Sequence, residues 1–346
     1  MWRLSGHIAS PVQGEELSKY QRDFKGFPNG LIRLIPGNWL FPPEFNKFAD
    51  KIRQLKFRGQ DVLVMSQPGC AASWVQEMVW NMRNSPDLKH PEMYNCLCMR
   101  VPQIEGDILI GPSNNSHIDP KLMDLFRGIC PGCKIEQGVY IGLTEKCSHP
   151  RTLATYLPLS LFNPCLLDDI KIVYVLRNPK DVALSRFNHS RLVKREGFIG
   201  NMNQFIQYFV DENLLIGSYW EHVADVWERK GHGNLHLIFY EDLKHDLLWE
   251  MKRLGRFLGV DLSADQVGKL AQHVSFPELE RREVAPFGFQ YESLLNMEVS
   301  KKDTVAIWKE KVGFWRGRLT ADQEFKIDQW TKQNANKVPK LSFRYE

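Results

Sequence analysis

Arg177 and Ser185 stand eight residues apart, the first at the end of the apolar run Lys171–Leu176 (KIVYVL), the second inside the helical pattern that begins at Val182. A guanidinium and a hydroxyl presented together suit an anion, because charge-assisted hydrogen bonds are the strong ones. A second anion-binding pattern lies upstream. Val62–Met65 is apolar, and the small-residue loop Ser66-Gln67-Pro68-Gly69-Cys70-Ala71-Ala72-Ser73 leads from it into a helical pattern at Trp74. Strand, tight loop and helix N-terminus make a phosphate cradle when backbone N–H groups, those of Cys70 and its neighbours here, converge on one ligand. This cradle is incomplete: Gly-x-x-x-x-Gly-Lys-Ser/Thr is absent, the loop has no lysine, and Ser73 is the one hydroxyl at its helix end. Plainer readings exist for both patterns. The loop can simply join strand to helix, and Arg177 can pair with Asp181.

The elements around these residues decide whether they meet. Asp61–Ser66, Arg151–Tyr156, Lys171–Leu176 and Leu235–Tyr240 read as strands from their continuous apolar character. Ala72–Asn84 carries an apolar face at Trp74, Val75, Met78 and Val79, and further helical faces fall at Met202–Asn213, Trp220–Arg229, Glu241–Gly259, Ala264–His273 and Ala321–Ala335. Such strands separated by helices predict an α/β fold, a single domain with a central parallel sheet flanked by helices. Ligands of such sheets sit at the carboxyl ends of the strands. That rule puts Ser66–Ser73, Tyr156–Leu159, Arg177–Ser185 and Tyr240–Asp242 on one rim. Residues 1–45, with Phe27-Pro28-Asn29-Gly30 and Phe41-Pro42-Pro43, predict an extended N-terminal arm; a short helix follows at Glu44–Gln54, and 46–346 form the domain proper. Residues 86–150 and 280–305 read as loops, the former with short helices.

Composition narrows the ligand. Of 346 residues, 43% are hydrophobic and 25% charged, which excludes disorder as a global description. A net charge of +4 and a pI near 8.6 suit a small anion but fall short of the basic footprint, about pI 9 or more, of a nucleic-acid binder. No run of about 18 apolar residues occurs, so no membrane span is expected. The N-terminus MWRLSGHIASPVQGEE lacks the apolar core of a signal peptide. With seven cysteines, this predicts a cytoplasmic protein with reduced thiols. Cys130-Pro-Gly-Cys133 fits either a turn or a metal or redox pair; a second well-spaced pair is missing, so no metal is expected.

On these residues the chain resembles the cytosolic sulfotransferases, which move sulfuryl from 3′-phosphoadenosine 5′-phosphosulfate to small hydroxyl or amine acceptors. Tyr174–Ser185 (YVLRNPKDVALS) follows the family's YVxRNPKDVxVS, Trp74–Trp80 its TWxxEIxW, and Phe239–Lys244 (FYEDLK) its FYEDMK. Gly217–Val223 resembles the helix before that, Ser275-Phe276 a TSF segment, and Gly313–Arg316 the family's GDWK. The resemblance implies that Arg177 and Ser185 hold the 3′-phosphate. Trp74, Tyr240 and Phe276 would sandwich or edge the adenine, and Ser73 with the loop at Cys70 would bind the 5′ end. Ser275 and Lys309 would complete the nucleotide site. The partner implied is a small apolar molecule bearing a hydroxyl, held by loops at about 85–105, 140–165 and 280–300.

The departures from the family pattern cluster at the sulfuryl end. Gly69 stands where the family has a lysine, and Tyr156 where KTHLP has its catalytic histidine. Loss of a preorganised charge costs about 10²–10³ in rate, and loss of a general base about 10²–10⁴. A phenol in its ordinary neutral state is a poor base. Among His117, His149, His189 and His222 no substitute base stands out, and His222 reads as structural. Lys309 keeps its family position, but Trp308 and Glu310 replace neighbours, and Phe325 replaces a glutamate of the family's dimer segment, which argues against a family-type homodimer. Two functions follow as expectations: inefficient sulfuryl transfer to an apolar alcohol, or a fold that binds nucleotide, apolar ligand or both without transfer.

Overall fold

The computed structural model describes residues 1–110, 120–281, 295–296, 298–299 and 311–345. Its centre is a parallel sheet of β5 (Val62–Ser66), β6 (Thr152–Thr155), β7 (Lys171–Leu176) and β8 (Leu235–Phe239) in the order β6-β5-β7-β8. In register, Val62 stands beside both Thr152 and Lys171, and Ile172 beside Leu235. All five residues of β5 are buried, as strands covered on both faces must be. Helices Ala72–Asn84, Pro179–Leu192 and Tyr240–His245 leave the ends of β5, β7 and β8 and carry the rim residues with them. The helix after β7 begins at Pro179, three residues before the start expected from periodicity. Asn178 accepts a hydrogen bond from the Asp181 amide (2.9 Å) and Pro179 takes the first position, where its missing N–H costs nothing.

The N-terminal segment departs from expectation. Residues expected as an extended arm form a four-stranded antiparallel sheet, β1 (Trp2–Leu4), β2 (His7–Pro11), β3 (Ile32–Ile35) and β4 (Trp39–Phe41), with helix Gly14–Asp23 between β2 and β3. Ser5 and Gly6 both have positive φ, the signature of the hairpin turn that joins β1 to β2. The Ile216 amide donates to the Leu40 carbonyl (2.8 Å), which ties this sheet to the turn at residues 214–217. The expected helix Glu241–Gly259 is two helices, Tyr240–His245 and Leu247–Leu258. It breaks at Asp246, whose carboxylate leaves the helix to accept from the Trp249 amide (2.9 Å). Gly259 ends the second helix in a left-handed conformation, as expected.

The cysteines depart from the all-reduced expectation: Cys96 and Cys98 are joined by a disulfide, and the other five are free thiols. Cys130-Pro-Gly-Cys133 is a turn in which the Cys133 amide donates to the Cys130 carbonyl (3.0 Å). No helix among the described residues is long and apolar enough to cross a membrane.

Candidate functional site

The loop after β5 is held from below. Gln67 is buried and its Nε2 donates to the carbonyls of Gly217 and Ser218 (3.3 Å each), in the turn that the N-terminal sheet supports. Gly69 (φ +90°) and Ala71 (φ +60°) are both left-handed, which turns the chain sharply into the helix at Ala72. Ala71 occupies the N-cap and has no side-chain oxygen, so no side chain caps the first N–H groups of this helix. That is how a helix start offered to an anion is built. Cys70 is buried, and burial pushes its thiol up to about 12 against the lowering influence of Arg177. Cys70 therefore serves the loop through its backbone and not as a thiolate.

Arg177 lies at the end of β7, as expected, but fully buried rather than emerging from the rim. Its Nη1 donates to the Gly69 carbonyl (3.0 Å) and its guanidinium stacks 4.3 Å from the centroid of Tyr240. The Tyr219 hydroxyl fixes the Arg177 carbonyl (2.6 Å). Next to it, Glu241 accepts from the backbone and side-chain nitrogens of Asn178 (2.8 and 2.9 Å), and burial raises its carboxyl above the usual range. Asp181 accepts from Asn178 Nδ2 (2.8 Å) and from the amides of Gly313 and Trp315 (3.0 Å each). The turn after β7 thereby clamps the C-terminal segment.

The three aromatic residues meet. Trp74 is buried with its Nε1 on the Val274 carbonyl (2.7 Å); its ring lies 4.6 Å from that of Phe276 and 6.0 Å from that of Tyr240. Ser73, Ser185 and Ser275 are half-buried on the three segments that converge here, the helices from Ala72 and Pro179 and the turn before Phe276. Lys309, Trp308, Glu310 and His117 lie outside the described residues.

Tyr156 is half-buried just beyond the end of β6. Its amide donates to Glu105 (2.6 Å) and its carbonyl accepts from His222 Nε2 (3.0 Å). With the proton on Nε2, His222 Nδ1 accepts from the Tyr174 hydroxyl (2.7 Å). Burial pushes His222 down to about 4. Neutral, and with both nitrogens engaged, it props the rim and is no base. His149 lies at the opposite end of β6, 3.7 Å from Asp61, and His189 lies 3.2 Å from Glu196.

Gly69 is more than a missing lysine. A Cβ built there would stand 3.0 Å from Arg186 Cγ and 3.2 Å from the Val182 carbonyl oxygen, so the Arg186 stem fills the space beside the loop. Sequence reasoning gave no role to Arg186, Glu105 or Lys244. Glu105 is a lone acid in a stretch of weak periodicity; it is buried and accepts from Gln103, Thr155 and Tyr156. Lys244 was visible inside FYEDLK, yet nothing in that motif says which way its ammonium turns.

A family model described as sulfotransferase domain matches residues 59–339. The chain belongs to the sulfotransferase family. Sulfotransferase 1A1 of Mus musculus is 34% identical over 275 residues, covering 77% of this chain and 85% of that one. Luciferin sulfotransferase of Photinus pyralis is 26% identical over 291 residues, 83% of this chain and 75% of that protein. Among solved structures, a retinol dehydratase in complex with androsterone and the inactive cofactor PAP superposes with a TM-score of 0.77 at 24% identity, covering 98% of this chain and 99% of the other. Mouse sulfotransferase SULT7A1 complexed with PAP gives 0.61 at 19% identity, over 86% and 93%. At these identities the structures establish the α/β sulfotransferase fold for this chain.

Proposed function

We propose that this sulfotransferase-family chain binds 3′-phosphoadenosine 5′-phosphosulfate and transfers sulfuryl, at a reduced rate, to the hydroxyl of a small apolar acceptor in the cytoplasm. The observation that carries the reading is the cluster in which the Gly69 carbonyl, Arg177, Tyr240, Trp74 and Phe276 are in successive contact. It joins an anion-binding loop to an aromatic surface, as a nucleotide requires. The residues present fit the ligand at both ends. The uncapped helix start at Ala72 suits the 5′-phosphate, where the family motifs also assign Ser73, and the guanidinium of Arg177 suits the 3′-phosphate, where they assign Ser185 and Lys309. Trp74, Tyr240, Phe276 and Ser275 suit the purine. When bound, the co-substrate supplies the sulfuryl group. The acceptor oxygen forms a bond to sulfur as the bond from sulfur to the phosphate oxygen breaks, and the acceptor proton leaves. The family motif assigns the receipt of that proton to the position of Tyr156, whose peptide is held by Glu105 on one side and His222 on the other. The solved relatives with androsterone and with retinol support an apolar alcohol as acceptor.

A second reading, binding without transfer, is favoured by the two substitutions at the sulfuryl end. If the penalties for lysine and histidine multiplied, the rate would fall by about 10⁴–10⁷, an outer bound for groups that act together. Turnover of sulfur-labelled donor against a panel of phenols, steroids and retinoid alcohols separates the two. Slow product formation that disappears in Arg177→Met is the expected result. Binding of 3′-phosphoadenosine 5′-phosphate by calorimetry with no labelled product across the panel would leave the binding reading alone.

A further inference from the structure

Lys244 lies in the last turn of helix Tyr240–His245, half-buried, and turns back over the aromatic cluster. Its Nζ is 3.4 Å from the centroid of Phe276, 5.5 Å from Trp74 and 5.6 Å from Tyr240. Ring faces carry the negative lobe of the aromatic quadrupole, and an ammonium within about 6 Å of a centroid is held by it. Trp74 is anchored through its Nε1 to the Val274 carbonyl, so its ring keeps its place. Phe276 packs against it at 4.6 Å. A base lying between two rings needs about 7 Å, two contacts of about 3.5 Å each. The rings are too close for that, and the ammonium lies on Phe276 within reach of all three rings of the cluster.

We propose that Lys244 caps the purine slot and sets nucleotide affinity: its ammonium lies on Phe276 among the three rings, and a base enters only by exchanging that cation–ring contact for its own stacking. The proposal rests on the nucleotide reading given above. It makes Lys244 a competitor for the base and not a phosphate ligand. The two roles predict different results with an uncharged probe, because adenosine needs the slot and has no phosphate for the ammonium to attract: loss of a competitor tightens its binding, and loss of a phosphate ligand leaves it unchanged.

The test is calorimetry with adenosine and with 3′-phosphoadenosine 5′-phosphate on wild type, Lys244→Met and Lys244→Arg, each checked for fold by near-ultraviolet circular dichroism. Removal of one cation–ring contact should tighten adenosine binding to Lys244→Met by about 2- to 30-fold. Lys244→Arg, which keeps a cation on the rings, should stay near wild type. For the bisphosphate the gain should be smaller, since the same substitution removes a positive charge. Adenosine affinity that is unchanged or weaker in Lys244→Met overturns the proposal. So does silence toward adenosine in both proteins while the bisphosphate binds, for then the base slot contributes nothing to affinity. If neither probe binds any of the three proteins at millimolar concentration, the nucleotide reading itself falls, and the capping role with it.

Discussion

Gly69→Lys is the obvious repair of the phosphate loop, and the geometry around residue 69 works against it. The backbone there is left-handed at φ +90°, which costs a residue with a Cβ about 1–2 kcal/mol. The new Cβ also falls 3.0 Å from Arg186 Cγ and 3.2 Å from the Val182 carbonyl oxygen. Arg186 is nearly fully buried, and its Nη2 is held on the Leu215 carbonyl (2.8 Å), so its stem is not free to swing aside. Gly69→Lys alone should therefore lower stability by at least about 1 kcal/mol in urea unfolding, even with Tyr156→His added to restore the base. Adding Arg186→Ala to Gly69→Lys should cost less than the sum of the two single changes, because it opens the space the lysine needs. Wild-type stability in Gly69→Lys, or strict additivity in the pair, would show that the loop accepts a lysine where it stands.

Between elements, Asp181 has most to do. It sits in the first turn of helix Pro179–Leu192 and receives the amides of Gly313 and Trp315, while Lys180 beside it lies 4.2 Å from the centroid of Trp315 and 2.9 Å from Asp328. These contacts fix the C-terminal segment against the turn that carries Arg177. Asp181→Ala should cost about 2–3 kcal/mol, because it removes a charged acceptor from buried donors. It should also speed tryptic cleavage at Lys311 relative to cleavage elsewhere. Unchanged cleavage at Lys311 would mean that the segment is held by other means. The elements themselves were legible to different degrees. KIVYVL and helices 72–84 and 264–273 lie where periodicity puts them, since long apolar patterns leave one way to bury themselves. The N-terminal sheet escaped because its strands are three to five residues long, too short for periodicity to show, and the one local signal was the Ser5-Gly6 turn. The break at Asp246 escaped because a capping carboxylate and an ordinary helical aspartate look alike in sequence. At the site, the motif residues Arg177, Trp74, Tyr240 and Phe276 were legible. The inward turn of Arg177 and the positions of Glu105, Arg186 and Lys244 depend on side-chain direction, which spacing does not encode.

Across the whole molecule, His222 joins three parts: its ring meets that of Trp39 of β4 edge to face at 6.2 Å, Nδ1 binds Tyr174 of β7, and Nε2 binds the Tyr156 carbonyl at the rim. Burial holds it near 4, against 6.5 ordinarily. The folded state thus binds the proton less readily than the unfolded chain does. Stability from this residue is intact above about pH 6.5 and falls as pH drops toward 4, by up to about 1.4 kcal/mol per pH unit and about 3 kcal/mol in all. His236, pushed to about 4 chiefly by burial and further by Arg253, acts in the same window and the same direction. Glu105, Asp107, Asp225 and Glu241, whose carboxyls burial raises, act in the opposite direction: protonation favours their folded state, so they offset part of the loss on acidification. Glu196 lies at about 2 despite its burial, because His189 and Arg186 favour the carboxylate; its contribution is lost only below about pH 4.5, beneath the histidine window. The net acid slope of the wild type is therefore a difference of opposing contributions, and a comparison with a variant isolates His222. His222→Gln, which carries no titrating ring, should be less stable than wild type at pH 7.5 and should lose less further stability between pH 6.5 and 5, by up to about 2 kcal/mol in urea unfolding. An equal loss in both proteins over that interval would place the acid sensitivity elsewhere. It would also mean that the ring linking the N-terminal sheet to the rim takes up its proton while the protein stays folded.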